Sequence, residues 1–393
     1  MKRLILSLLA AGALATATAQ SHEPAVGYHM TDGKLIPTTS IKDQYRSGTC
    51  WCFSTLSFLE NEIIKAGGPA LDLSEMWIVR NIYFEKAVKY VRLHGSLNFA
   101  VGGAAHDVTN GIRDYGIVPQ EVYPGFNYGT DKPEFAEIDA VLKAYVDAVI
   151  KGKKLTTAWQ NGLNGILDAY FGKMPETFVY EGREYTPKSF AESLPIDIDD
   201  YVNITSFTHH PFYTEFILEV PDNWAWGKVY NVPLDEMMQI IDNALAEGYS
   251  IEWATDTSER GYNRTKAIGV IPEADIESMS GTEAERWGKL TDAEKEKELY
   301  RFDKPGKEKH ITQELRQLAF DNYETTDDHG MVIIGTAVDQ NGNSYYKVKN
   351  SWGIKPPYDG YHYFSRPYVE YKTTSIMVNR NAIPKPIRKK LGL

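Results

Sequence analysis

The sequence is short of cysteine, of positive charge and of long apolar runs, and each shortage excludes something. Its two cysteines, Cys50 and Cys52, are separated only by Trp51. They cannot make the spread-out disulfide framework that staples small exported domains. A bridge between residues i and i+2 closes a strained ring, so at least one of the pair is a free thiol. Lys and Arg number 42 against 53 Asp and Glu, a net charge of −11, which excludes a phosphate-backbone footprint; nucleic acid is not the primary partner. Only residues 385–390 are basic, and they read as a solvated tail. Apart from residues 4–15 no apolar run approaches the ~20 residues that span a bilayer, so no stable membrane span is expected once those are removed. Gly and Pro show neither period nor bias, which rules out repeats and low-complexity classes. What is present, 42% apolar and 12% aromatic residues, suffices for one large folded domain or two lobes.

The first nineteen residues have the layout of a secretory signal peptide. Lys2 and Arg3 precede the apolar run, and Ala17-Thr18-Ala19 offers a small-residue cleavage site before Gln20. The expectation is a protein exported to the periplasm or secreted. A free thiol in such a compartment is open to oxidation, so its retention asks for a chemical reason.

The reason lies in the segment that Cys50 opens. Cys52, Leu56, Leu59 and Ile63 recur every three or four residues, and Gly67-Gly68 follows as a stop, which predicts an amphipathic helix starting at Cys50. A thiol at a helix N-terminus feels the positive end of the dipole, which favours the reactive thiolate. Cys52 falls on the apolar stripe and reads as a small packed hydrophobe. A cycling Cys50–Cys52 disulfide is disfavoured, because two side chains two apart on a helix point to nearly opposite faces. Six residues upstream, Gln44 stands in a loop with Gly48, and its amide could meet the Cys50 main-chain N–H at one spot, the requirement of an oxyanion hole.

A thiolate nucleophile needs a base. Of nine histidines, His22, His29, His94, His106, His209, His210, His310 and His362 read as polar surface or core residues. His329 differs because it opens Gly330-Met331-Val332-Ile333-Ile334-Gly335, a short buried strand by length and β-branched content. After the turn at residues 339–343, alternation in Ser344-Tyr345-Tyr346-Lys347-Val348-Lys349-Asn350 predicts a hairpin with Asn350 on the inward face. There its amide can hold the His329 ring, with Trp352 covering the bond.

These blocks carry a resemblance. Gln44, Gly48-Thr49-Cys50-Trp51-Cys52-Phe53-Ser54, His329-Gly330 and Asn350-Ser351-Trp352-Gly353 resemble, in order, the active-site blocks of papain-like cysteine peptidases. Leu73-Ser74-Glu75, Gly102-Gly103-Ala104-Ala105-His106-Asp107 and Tyr115-Gly116-Ile117-Val118-Pro119 resemble the helical lobe of that fold. The long insertion after Tyr123-Pro124, with Gly172-Lys173-Met174-Pro175 and Asp199-Asp200-Tyr201-Val202, is similar to the bleomycin hydrolase and bacterial aminopeptidase C branch. The resemblance implies Cys50 as nucleophile, Gln44 as oxyanion-hole donor, His329 as general base and acid, and Asn350 as its orienter. It implies a thioester acyl-enzyme, peptide substrates, no cofactor or metal, and room for a homo-oligomer. In that branch the chain's own C-terminus reaches into the cleft and its carboxylate holds the substrate amine. Here 43 residues follow Asn350, fewer than the resemblance leads one to expect, and they end in a basic triplet before Leu391-Gly392-Leu393. Three readings follow: an aminopeptidase, an endopeptidase with an open cleft, and a catalytically silent peptide binder.

The expected fold class is α+β and two-lobed. Residues 1–19 form the leader, 20–205 a mainly helical lobe with an insertion at about 126–200, and 206–393 a mainly β-rich lobe carrying His329 and Asn350. Helices are expected over residues 134–150, 155–171 and 235–247, a strand over 249–254, and an exposed charged helix or linker over 282–300.

Overall fold

The computed structural model describes residues 27–274 and 279–393, so the leader lies outside the described residues. The helix predicted from the Cys52, Leu56, Leu59 and Ile63 spacing is present as α1, Cys50–Lys65, and the chain turns away at Gly67, whose φ is +84°. It is not amphipathic in the expected sense, since residues 51–63 are all buried. The cause is long-range: α1 runs between a helical lobe and a sheet, and three polar residues on its would-be wet face find partners there. Glu60 accepts from Lys42 Nζ (2.9 Å) and Thr39 Oγ1 (2.6 Å), Asn61 donates to Ser250 Oγ (3.2 Å), and Glu62 accepts from Asn379 Nδ2 (3.0 Å).

On one side of α1 lie α2 (Glu75–Arg92), α3 (Ala105–Tyr115), α4 (Ala136–Val149) and α5 (Ala158–Phe171). α2 starts where Ser74 caps it, its hydroxyl accepting from the Trp77 N–H at 3.1 Å. Leu59, Ile78, Val108, Leu142 and Leu167 share one core with α1. α5 begins at Ala158, three residues later than expected, because residues 155–157 precede the first buried apolar position of the helix, Leu163.

On the other side stands an eleven-stranded sheet, counted among the described residues. Its centre runs, neighbour to neighbour, through Tyr201–Thr205, Thr373–Asn379, Ile251–Thr255, His329–Val338, Ser344–Lys349 and Tyr361–Ser365. The hairpin predicted around the residue 339–343 turn is the pairing of His329–Val338 with Ser344–Lys349, in register Val332 to Lys349. The first of these strands runs on to Val338, beyond its apolar run, because Thr336, Ala337 and Val338 pair with Tyr346, Tyr345 and Ser344, and Ala337 and Val338 also with Asp32 and Thr31. Beyond the sheet, the Leu234–Glu247 helix buries Met237, Ile240 and Ile241 against Trp253, Ile333 and Val348 in a second core. The charged stretch forms two short helices, Gly281–Lys289 and Asp292–Leu299, the latter with no buried residue.

The C-terminus does not behave as the resemblance implies. Lys385–Leu391 is a helix that seats Ile387 and Leu391 in the second core, with Leu393 packed beside them. Lys390 Nζ pairs with Glu236 and bonds Tyr213 Oη at 3.2 Å. The tail is therefore docked on the outer face of the sheet, with Lys390 paired there, rather than threaded toward Cys50. The apolar spacing of Ile387 and Leu391, one helical turn apart, accounts for this placement.

Candidate active site

Two lobes meet where the start of α1 touches the start of the His329–Val338 strand. Gly330 sits at the contact: a Cβ there would lie 2.6 Å from Ser54 Oγ and 3.4 Å from the Cys50 carbonyl oxygen, so only glycine lets the strand come this close. This approach brings Cys50 and His329 to the lining of one cleft. The structure thus joins residues 279 positions apart in sequence.

His329 is held from two directions. Its Nε2 lies 2.9 Å from Asn350 Oδ1, and that oxygen also accepts the Ser351 N–H at 2.8 Å, so it cannot turn away. With Nε2 donating, the proton-free nitrogen is Nδ1. Trp352 stacks on the ring, centroids 4.7 Å apart and planes 29° apart, and shields the Asn350 bond. Burial lowers the His329 imidazole to about 4, outweighing the Asn350 hydrogen bond and the Asp328 charge, which raise it. Asp328 itself is taken up by the main-chain N–H groups of Thr257 and Ser258 at 2.8 and 3.0 Å.

Burial also pushes the Cys50 thiol up to about 12, against the main-chain amides of Gly330 and Trp51, which favour the thiolate. The helix N-terminus alone therefore does not leave a free thiolate, contrary to the expectation from the dipole. Each shift describes one group ionising by itself. Proton transfer from Cys50 to His329 makes a thiolate and an imidazolium together, and each then supplies the countercharge that burial demands. Cys52 is fully buried, its thiol against the Glu75 carbonyl oxygen at 3.5 Å, as expected of a packed side chain.

Gln44 is buried, and its Oε1 accepts from Ser351 Oγ at 2.6 Å while its own N–H donates to the Ser351 carbonyl at 2.8 Å. With the oxygen fixed, the Nε2 end is the one left to donate. The Cys50 N–H heads α1 and has no acceptor among the described residues, as expected at a helix start. Ser351, quoted in the sequence only as part of a block, thus sets both Gln44 and the Asn350 orientation; its adjacency to Asn350 was the available signal. Gln44 does not line the cleft that Cys50 and His329 share.

A second residue escaped the sequence reading. His362, taken there as an ordinary core or surface histidine, is buried behind Asn350: its Nε2 lies 3.4 Å from Asn350 Nδ2 and its Nδ1 2.9 Å from Tyr262 Oη. Burial lowers its imidazole to about 4, so it stays neutral and can accept from Asn350. Only the pairing of Ser344–Lys349 with Tyr361–Ser365, in register Val348 to His362, brings it there. Replacing His362 with Phe is expected to remove one neutral hydrogen bond of about 1 kcal/mol, roughly fivefold in kcat with KM kept. Steady-state kinetics on one peptide checks this; an unchanged kcat would show that Asn350 is held by His329 and Ser351 alone.

A strap, residues 218–227, joins Glu215–Ile217 at the edge of the sheet to its neighbour Lys228–Asn231 and forms part of the cleft wall. Leu218, Val220, Asp222 and Asn223 line the cleft with Cys50. The strap is anchored on the opposite lobe, where Trp224 joins the helical core and donates from Nε1 to Asp107 Oδ2 at 2.8 Å, and Asn98 Nδ2 donates to the Pro221 carbonyl at 3.2 Å. Groups of His, Asp and Glu close enough to share an ion among the described residues lie elsewhere: Glu60, Asp72 and Glu75, already occupied by Lys42, and the surface set His209, His210 and Glu219.

Residues 281–392 match the Peptidase C1-like family. Aminopeptidase G of Lactobacillus delbrueckii subsp. lactis is 22% identical over 89% of this chain and 83% of its own length. Aminopeptidase C of the same organism is 22% identical over 94% and 86%. The crystal structure of PepW from Lactobacillus rhamnosis HN001 superposes with a TM-score of 0.68 at 18% identity, covering 92% of this chain and 84% of that one, which establishes the shared fold.

Proposed function

We propose that this papain-like cysteine peptidase of the aminopeptidase C branch removes residues from the amino ends of peptides through a Cys50, His329 and Asn350 site. The observation that carries the reading is a cleft holding Cys50 and His329 together, with His329 Nε2 on Asn350 and a strap forming part of the cleft wall. In the proposed cycle the Cys50 sulfur attacks the peptide carbonyl as its proton passes to His329 Nδ1. The oxyanion that forms meets the Cys50 N–H and the Gln44 amide nitrogen. Collapse breaks the C–N bond, the amine leaves with the proton from His329, and a thioester joins the acyl group to Cys50. Water, deprotonated by His329, then hydrolyses the thioester and restores the thiol.

The strap supports exopeptidase over open-cleft endopeptidase action, since its Leu218, Val220, Asp222 and Asn223 line the cleft beside Cys50 while its Trp224 is anchored on the opposite lobe. The relatives named as aminopeptidases support the same choice. Export is part of the proposal and rests on residues 1–19.

A mass-spectrometric time course under reducing conditions, on one peptide with a free and with an acetylated N-terminus, tests the reading. Stepwise loss from the free form alone is expected. Internal cleavage of both forms would replace it with an endopeptidase.

A further inference from the structure

The lining of the cleft is acidic. Asp222 on the strap, Glu252 on the Ile251–Thr255 strand, and Asp327 and Asp328 just before His329 all line it, with no lysine or arginine among the lining residues. Asp328 is committed to the Thr257 and Ser258 amides. The other three are not filled. Asp222 receives only the Asn98 amide, at 3.3 Å, and Asp327 only the Thr374 hydroxyl, at 2.9 Å. Glu252 receives the Ser54 hydroxyl on Oε1 at 2.9 Å, while its Oε2, on a residue 2% exposed, has no hydrogen-bond partner. A buried carboxylate oxygen without a donor is costly unless something enters to meet it.

Cations nearby are spent elsewhere. Lys86, whose charge acts on Asp222, donates to the carbonyl oxygens of Ala100 and Gly102. Burial accordingly lifts Asp327 to about 7 and Glu252 to about 8, and lifts Asp222 as well, as expected of carboxyls lacking a countercharge.

We infer that Asp222, Glu252 and Asp327 form a binding site for a substrate ammonium group, the α-ammonium of the peptide's first residue, in the cleft. The inference rests on the aminopeptidase reading and deepens it. An aminopeptidase cleft must tell one chain end from the other, and carboxylates attract an amino end and repel a carboxyl end. Side chains from three separate segments supply these carboxylates, while residues 385–391 are docked on the outer face of the sheet.

The test uses the purified chain and its Asp222→Asn, Asp327→Asn and Glu252→Gln variants, singly and combined. Folding is checked by circular dichroism and by alkylation of Cys50. Four peptides of one core sequence are compared: free-amine, N-acetylated, and two N-acetylated forms with Lys or its neutral counterpart norleucine two residues before the scissile bond. The wild type is expected to favour the free amine. The combined variant should lose that preference by roughly tenfold or more, through KM on the free-amine peptide, with the acetylated peptide unaffected. Asp222→Asn alone, on the surface strap, should show the same trend if the combined variant does not fold. A preference for Lys over norleucine that the variants abolish would assign the ammonium to a side chain and overturn the α-amine source. Unchanged free-to-acetyl and Lys-to-norleucine ratios in folded variants would overturn the site itself. Indiscriminate internal cleavage by the wild type would instead overturn the aminopeptidase reading, leaving the Lys-to-norleucine ratio to judge the acidic site separately.

Discussion

Cys50→Ala is expected to lower peptide hydrolysis by about 10⁵-fold or more while the fold is kept. Removing the nucleophile of a Cys-His site removes the covalent route altogether, and losses on the order of 10⁵ to 10⁶ accompany such deletions where base and nucleophile act as one unit. The fold should hold because Cys50 is only half-buried and contributes no disulfide. Cys52→Ala supplies the contrast: that thiol is fully buried, so its loss should affect packing and leave the chemistry in place. Iodoacetamide followed by peptide mapping gives an independent readout, with label expected on Cys50 and none on Cys52 in the folded protein. Activity surviving in Cys50→Ala, or disappearing in Cys52→Ala, would move the nucleophile elsewhere.

The largest expected effect on stability belongs to Lys42. Its ammonium is bound by Glu60 on α1 at 2.9 Å, Glu75 at the start of α2 at 2.6 Å, and Asp72 at 2.7 Å, with Glu60 and Glu75 almost wholly buried. Burial still lifts Glu75 to about 7, so the lysine only partly offsets the desolvation of its partners. Lys42→Met would leave two buried carboxyls facing each other and is expected to cost about 3–5 kcal/mol. Urea unfolding should show a lower midpoint at unchanged slope. Adding Glu60→Gln and Glu75→Gln should return part of the loss, since an uncharged cluster needs no cation. A shift below about 1 kcal/mol in Lys42→Met would mean that the cluster behaves as a surface ion pair. The effect bears on function because Lys42 stands two residues before Gln44, and its carbonyl accepts the Gly353 N–H at 3.0 Å.

What was legible in the sequence is what local pattern controls. The three-and-four spacing after Cys50, the β-branched run after His329 and the turn before Ser344 each specify an element within a dozen residues, and the candidate side chains sit at the ends of those elements. What was not legible depends on pairing between distant segments. Nothing near Glu60 or Asn61 announces that α1 is buried on every side. His362 reaches Asn350 only through strand register, Ser351 reaches Gln44 across 307 positions, and Asp222, Glu252 and Asp327 meet only when the strap crosses between lobes. The tail was misjudged differently: its basic residues suggested a solvated end, whereas Ile387 and Leu391 decide its place by burial.

The strap also decides which neighbours are safe. A folded protein presents loops, which must run through a cleft in both directions to be cut, and a strap that bridges the two lobes at residues 218–227 stands against such passage. On the proposed exopeptidase reading, folded neighbours, a second copy of the chain included, would be spared and only fragments with free ends cut.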